Sequence, residues 1–272
     1  MIPKIIHYCW CGHNPLPELA QKCIASWKKY LPDYEIKEWN ESNFDVNIIP
    51  YTAEAYKAKK YAFVSDYARF WILYKYGGLY FDTDVEVIKN MDDIIAKGPF
   101  MGCENEAKAS ATPAQLGVAP GLGLGVNPGL GLGVNPGLGL YKEILANYNG
   151  LHFLGKNGEM NTKTVVEYVT DILVANGLKN TSKIQLVKGV YVYPKEYFCP
   201  FGLDGRMSIT SNSCSIHHYM ASWSDKKSLF FQIIKKCKQI LIKILPETVV
   251  EYVLQVKKKK REKMYQSVFY DA

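Results

Sequence analysis

The stretch from Phe63 to Val87, FVSDYARFWILYKYGGLYFDTDVEV, constrains the chain most, because its periodicity changes abruptly within a short span. Phe63, Tyr67, Phe70, Trp71 and Tyr74 recur at three- and four-residue spacing and predict a helix with an apolar stripe. Ser65, directly ahead of Asp66, is expected at the helix start, where first-turn amides lack partners. Asp66 and Arg69 are three residues apart, share a helical face and can pair. Gly77-Gly78 ends the helix, because glycine takes positive φ without steric cost. Leu79-Tyr80-Phe81 is then a short apolar strand that runs into Asp82 and Asp84. Both carboxylates therefore fall at a strand's C-terminal end, the edge where open α/β sheets place their ligands.

Two carboxylates at i and i+2 suit a hard divalent cation that keeps coordination positions free for phosphate oxygens. Such an ion neutralises the charge that develops on a departing diphosphate. An Asp-x-Asp alone occurs about once by chance in a chain of this length. The apolar strand before it, with Gly-Gly and Ser-Asp-x-x-Arg upstream, makes the site reading the stronger one.

The flanking segments predict an α/β domain around this centre. Lys4 to Tyr8 is an expected strand, Pro17 to Tyr30 a helix with Leu19, Cys23, Ile24 and Trp27 on one face, and Tyr34 to Trp39 a second strand. That order gives a right-handed βαβ crossover. Thr52 to Tyr61, Tyr141 to Tyr148 and Thr162 to Asn176 are expected helices; Pro99 to Glu104, Ile184 to Val187 and Val190 to Tyr193 are expected strands. Glu104 and Glu106 are placed to meet either solvent or the acceptor, and solvent is the stronger expectation. GLGLGVNP occurs at 121–128 and again, identically, at 129–136. Two copies are too few for a solenoid. The glycines suit an acceptor-side loop, one copy forming strand and loop and the other spare loop; no role is given to Asn127 or Asn135, and removal of one copy is expected to leave the fold intact.

Seven cysteines at irregular spacing fit free thiols better than a disulfide framework, and Cys9, Cys11 and His13 lack a second ligand pair with zinc-like spacing. The net charge of +7 is unevenly spread: Lys226 to Lys263 carries +9, leaving −2 for everything else. Phe230, Ile233, Ile234, Cys237, Leu241, Ile244 and Leu245 form one apolar arc beside those lysines, and KKKKR follows at 257–261. A basic amphipathic helix of this kind is expected to lie on an anionic membrane, and the clustering of the charge argues against nucleic acid. The start, MIPKIIHYCW, is too short and polar for a signal peptide, so the expected location is cytoplasmic, peripheral on the inner face of the cell membrane.

Three segments in order, IPKIIHYCW, SDYARFWILYKYGGLYFDTDV and HHYMASW (His217 to Trp223), resemble the DXD-motif sugar-binding glycosyltransferases, glycosyltransferase family 32, a group that includes fungal mannosyltransferases and capsular-polysaccharide enzymes. The resemblance implies an α/β, GT-A-like nucleotide-diphospho-sugar transferase fold, a Rossmann-like mixed sheet, over residues 1–225, followed by the basic helical tail 226–272. It implies a UDP- or GDP-sugar donor, a glycan or lipid-linked acceptor in surface polysaccharide synthesis, Mn²⁺ or Mg²⁺, and retention of anomeric configuration. Carried onto this sequence, Asp66, Arg69, Asp82 and Asp84 are the catalytic candidates. His7, Trp10, Asp66, Arg69, Gly78, Tyr80, Asp82 and Trp223 are the nucleotide-sugar candidates. Asp82, Asp84 and one histidine, His218 in preference to His217, are the metal candidates. The alternative is a non-catalytic glycan- or nucleotide-binding protein of the same fold, which would be marked by loss of one aspartate or of the C-terminal His…Trp; both are present.

Overall fold

The computed structural model describes residues 1–105, 124–200 and 207–220. Strand β1 (Ile5–Cys9) leads to helix α1 (Glu18–Tyr30) and strand β2 (Glu35–Trp39). Helices α2 (Pro50–Lys57) and α3 (Tyr61–Tyr76) precede β3 (Gly78–Tyr80) and β4 (Val85–Val87). Then come α4 (Asp92–Lys97), β5 (Phe100–Gly102), β6 (Leu132–Val134), α5 (Gly139–Asn147), α6 (Val165–Ala175), β7 (Gln185–Val187), β8 (Val190–Tyr193) and β9 (Ser215–His217). Seven strands form one mixed sheet in the order β2-β1-β3-β6-β5-β8-β7. β1 is parallel to β2 and β3, β5 is parallel to β8, and β6 is antiparallel to both β3 and β5. Hence β1, β2, β3, β5 and β8 all end at one edge of the sheet, and β6 starts there. β4 and β9 form a separate antiparallel pair. This is the mixed α/β sheet that the sequence predicts.

Side-chain alternation divides the core into two layers. Tyr80, Met101, Leu132, Val134 and Val192 pack with α3, α5 and α6; Ile6, Leu79, Phe81, Phe100 and Tyr193 pack with α1. Trp27 of α1 is fully buried, stacks near Phe81 at 5.5 Å between centroids and donates from Nε1 to the Val85 carbonyl at 2.7 Å. That bond ties α1 to β4, next to the aspartates.

Two expectations change. Helix α3 begins at Tyr61, so Ser65 is no cap; its hydroxyl donates to the Ala62 carbonyl inside the helix. In the repeated segment, the second copy is the one that forms a strand: it supplies β6, the sheet's middle strand. Leu124, Val126, Leu130, Leu132 and Val134 are all buried, so the first copy packs in the core and is not spare loop. Leu, Val or Pro at every even position against Gly or Asn at every odd one is a strand pattern of period two. The glycine face admits aromatic rings: a Cβ on Gly133 would lie 2.1 Å from the Phe100 ring. Among the described residues no helix is long and apolar enough to cross a membrane. The expected tail, 226–272, lies outside the described residues.

Candidate active site

The site forms where β3 ends. Tyr80 and Asp82 alternate onto the α3 side of the sheet, where Arg69 is buried with its guanidinium 5.0 Å above the Tyr80 ring. Arg69 donates to Asp66 Oδ1 at 2.8 Å and lies 3.3 Å from Asp82 Oδ1, while its Nε is anchored on the Ser65 carbonyl at 3.1 Å. One cation thus braces two carboxylates. Burial disfavours its charge, but Asp82, Tyr80 and Asp66 outweigh that and keep Arg69 protonated. Asp66 is raised to about 7: burial lifts it, Arg69 opposes, and the Asp82 charge lifts it further. The Tyr80 hydroxyl donates to Asp82 Oδ1 at 3.1 Å. The Tyr80 and Arg69 contacts both fall on Asp82 Oδ1, while Oδ2 lies beside Gly129.

Asp84 is buried and encircled by the chain that follows β9. His217 Nε2 is 3.1 Å from Asp84 Oδ1, the Met220 amide donates to Oδ2 at 2.7 Å, and the His218 amide donates to the Asp84 carbonyl at 2.9 Å. Burial opposes charge on Asp84, yet the His217 and Met220 bonds prevail and hold its carboxyl below the ordinary range. Burial likewise works against the His217 imidazolium, and Asp84 overrides it, so the pKa of His217 is raised. Tyr219 makes this turn with φ at +50° and sets its ring 4.1 Å from the imidazole centroid.

Asp82, Asp84 and His217 each offer a ligand atom, and the three atoms lie within 4.8 Å of one another. Two carboxylates and an imidazole suit a borderline divalent ion such as Mn²⁺. The expectation that His218 would join the aspartates is corrected. β9 pairs with β4 so that His217 faces Val85, and alternation turns His218 to the other side, where its Nε2 meets Glu86 Oε2 at 2.8 Å.

The junction of the two copies, Asn127 to Gly129, supplies the floor. Asn127 Oδ1 accepts from the Gly129 amide at 2.8 Å, and the Gly129 carbonyl accepts from the Asp82 amide at 3.1 Å. Gly129 lies so close to Asp82 that a Cβ would stand 2.0 Å from Oδ2. Asn127 Nδ2 donates to Glu104 Oε2 at 2.9 Å, so Glu104 is partly buried and tethered rather than set in solvent. Sequence reasoning missed Asn127 and Gly129 because the repeat disguises a strand start; the two odd-position asparagines were the available signal.

The structure gives two other candidates structural work. His7 is 1% exposed, with Nε2 on the Gly77 carbonyl at 3.0 Å and Nδ1 accepting from Trp39 Nε1 at 3.0 Å. Both ring nitrogens are occupied, and burial lowers its pKa to about 4, so it packs β1 and does not face a ligand. Gly78 takes φ +96°, and a Cβ there would meet the Ile5 carbonyl oxygen at 2.6 Å, so it serves close β1–β3 approach. Trp10 follows β1, partly buried, and donates to the Asn14 carbonyl at 2.6 Å. Trp223 and Glu106 lie outside the described residues.

Residues 17–101 match the model of the glycosyltransferase sugar-binding region containing the DXD motif. The Asp-x-Asp within that matched stretch is Asp82-Thr83-Asp84, the pair on which the geometry converges. Inositol phosphoceramide mannosyltransferase 3 of Schizosaccharomyces pombe is 35% identical over 101 residues, 35% of this chain and 27% of that protein. An uncharacterized glycosyltransferase of Acanthamoeba polyphaga mimivirus is 35% identical over 106 residues, 37% of this chain and 42% of its own. The chain thus spans well under half the length of these curated relatives. Among solved structures, the PaToxG glycosyltransferase overlays with a TM-score of 0.44 at 21% identity, over 64% of this chain and 69% of that one. The galactosyltransferase LgtC, in complex with donor and acceptor sugar analogs, overlays at 0.42 and 13% identity, over 90% and 98%.

Proposed function

We propose that the chain is a metal-dependent glycosyltransferase that moves a sugar from a nucleoside-diphosphate-sugar, UDP- or GDP-linked, to a glycan or lipid-linked acceptor. The observation that carries this is the convergence of Asp82, Asp84 and His217 within 4.8 Å, the two aspartates lying in the stretch that matches the DXD sugar-binding region. The three side chains would hold Mn²⁺ or Mg²⁺, which when bound neutralises charge on the leaving diphosphate. Asp66, held by Arg69, presents a carboxylate to sugar hydroxyls, and Arg69 fixes Asp82 from beneath. Retention of anomeric configuration and a place in surface polysaccharide synthesis follow from the family resemblance.

The test is donor hydrolysis across a panel of nucleotide sugars with Mn²⁺, with and without chelator, in the wild type and in Asp84→Asn. The variant keeps shape and removes charge, so metal affinity and turnover should collapse together while circular dichroism is unchanged. Wild-type hydrolysis indifferent to chelator and to this substitution would sink the metal reading.

We further propose a body over residues 1–225 and a tail over 226–272 that binds anionic membranes from the cytoplasmic side. Its support is the +9 charge beside an apolar arc, with attraction of about 1 kcal/mol per lysine near a charged surface. Truncation after Trp223 should release the protein from anionic vesicles in a salt-sensitive way. Equal co-sedimentation of both forms would remove the membrane assignment.

A further inference from the structure

The mixed sheet orders its strand ends along one edge, and that order reads as a sequence of tasks. β3 delivers Asp82 and Asp84. Two positions further along the sheet, past β6, β5 ends at Gly102 and delivers Glu104 to the same edge. Asp66 and Arg69 stand on the α3 side of the aspartates, whereas Glu104 stands on the flank toward β8, within electrostatic reach of His217 and Lys195. The pair of carboxylates that would take the cation therefore has an acidic group on each flank.

Glu104 is held there by a chain of bonds, not by chance exposure. Its amide donates to the Gly125 carbonyl at 2.8 Å, and its Oε2 accepts from Asn127 Nδ2 at 2.9 Å. Asn127 is itself 9% exposed and fixed by its amide on the Gly102 carbonyl at 3.0 Å and by the Gly129 amide on Oδ1. Gly129 in turn receives the Asp82 amide. One asparagine thus couples the position of Glu104 to that of the DXD pair. A surface carboxylate has no use for such a mount. Burial raises the pKa of Glu104, against the opposing pull of Asn127, His217 and Lys195, so the group is costly to keep where it is.

We propose that Glu104 is the acceptor-side carboxylate of this site, oriented by Asn127 to accept a hydrogen bond from a hydroxyl of the incoming glycan. This rests on the glycosyltransferase reading above. The chemistry it recognises is a neutral polyhydroxylated ring, since a buried carboxylate ranks hydroxyl donors by geometry and rejects analogues that lack the hydroxyl. Glu104 acts on the acceptor and not on the departing diphosphate, so its loss should weigh on transfer more than on hydrolysis.

The experiment compares wild type with Glu104→Gln, which preserves the volume and can still accept from Asn127. A donor that the wild type hydrolyses is incubated with a panel of methyl hexopyranosides as soluble acceptors, and glycoside product is measured against free sugar. The ratio of transfer to hydrolysis should fall at least tenfold in Glu104→Gln, with acceptor KM rising more than donor KM. Asn127→Ala should shift acceptor KM in the same direction. An unchanged ratio, an equal fall in both products, or a wild type that hydrolyses donor yet glycosylates no member of the panel would overturn the assignment. Absence of wild-type hydrolysis would instead sink the transferase reading itself, and this inference with it.

Discussion

Gly129→Ala isolates the packing between the repeat and the DXD pair. The backbone at Gly129 lies outside the left-handed region, so alanine costs nothing in conformation. The cost is space alone: the new Cβ would lie 2.0 Å from Asp82 Oδ2 and 2.9 Å from Cγ. Ordinary contact begins near 3.4 Å, so the carboxylate must retreat by about 1.4 Å. The Asp82 side chain is 28% exposed and has room to swing, but doing so pulls Oδ1 away from the Tyr80 hydroxyl and from Arg69. The lost hydrogen bonds cost about 1 kcal/mol each in stability. A misplacement of about 1 Å at a reacting centre costs on the order of 100-fold, or about 2.7 kcal/mol of barrier. Turnover should therefore fall about 100-fold and Mn²⁺ affinity should weaken, while the thermal transition moves by only a few degrees. Gly133→Ala, four residues on, should do the reverse: its Cβ would strike the Phe100 ring at 2.1 Å, in the core, at a stability cost of about 1–3 kcal/mol with per-molecule turnover retained. The assays are steady-state donor hydrolysis, a metal titration and melting by circular dichroism. Wild-type turnover and metal affinity in Gly129→Ala would refute the claim that this contact sets Asp82.

Two further outcomes follow from the sheet. Deletion of residues 121–128 brings Leu116-Gly117-Val118-Ala119-Pro120 into the frame of Leu124-Gly125-Val126-Asn127-Pro128, so the buried Leu124 and Val126 are replaced in kind and, within those five positions, only Asn127 changes, to alanine; the deleted protein should melt cooperatively and match Asn127→Ala in activity, and a loss of the transition would refute the frame. His7 is held near pKa 4 when folded, against 6.5 as its ordinary value, so the unfolded chain takes up a proton that the folded one refuses, and stability should fall by about 3 kcal/mol as pH drops from 6.5 to 4. Urea unfolding at several pH values checks this against His7→Gln, which should flatten that part of the dependence; an equal slope in both proteins would place the acid sensitivity elsewhere.

The helix, the Gly-Gly stop, the strand and the two aspartates were legible because each is written in local periodicity or backbone chemistry. Arg69 with Asp66 was legible for the same reason, a three-residue spacing on one face. What lay hidden was set by pairing across long separations. The choice between His217 and His218 depends on the register of β9 on β4, which no window of sequence contains. The sequence places His7 near the ligand end of β1, and only the fold brings Trp39 and the Gly77 carbonyl to its two nitrogens. The repeat hid a strand under a composition rich in glycine, although its alternation of Leu and Val with small residues carried the answer. Glu104 ends a predicted strand and is open there to solvent or acceptor; what the sequence does not show is its tether, because Asn127 lies 23 residues on.

The two-stranded sheet has a consequence for how the protein comes into being. β4 and β9 are joined across some 130 residues, with Val85 opposite His217, and this pairing brings the imidazole to Asp84. Closing so long a loop carries an entropic cost that is met only once the intervening chain has condensed. The large sheet can form from residues up to Tyr193, all of which leave a ribosome before His217 does. The large sheet can therefore be in place before the cluster of Asp82, Asp84 and His217 exists, and that cluster closes only when one of the last described segments docks.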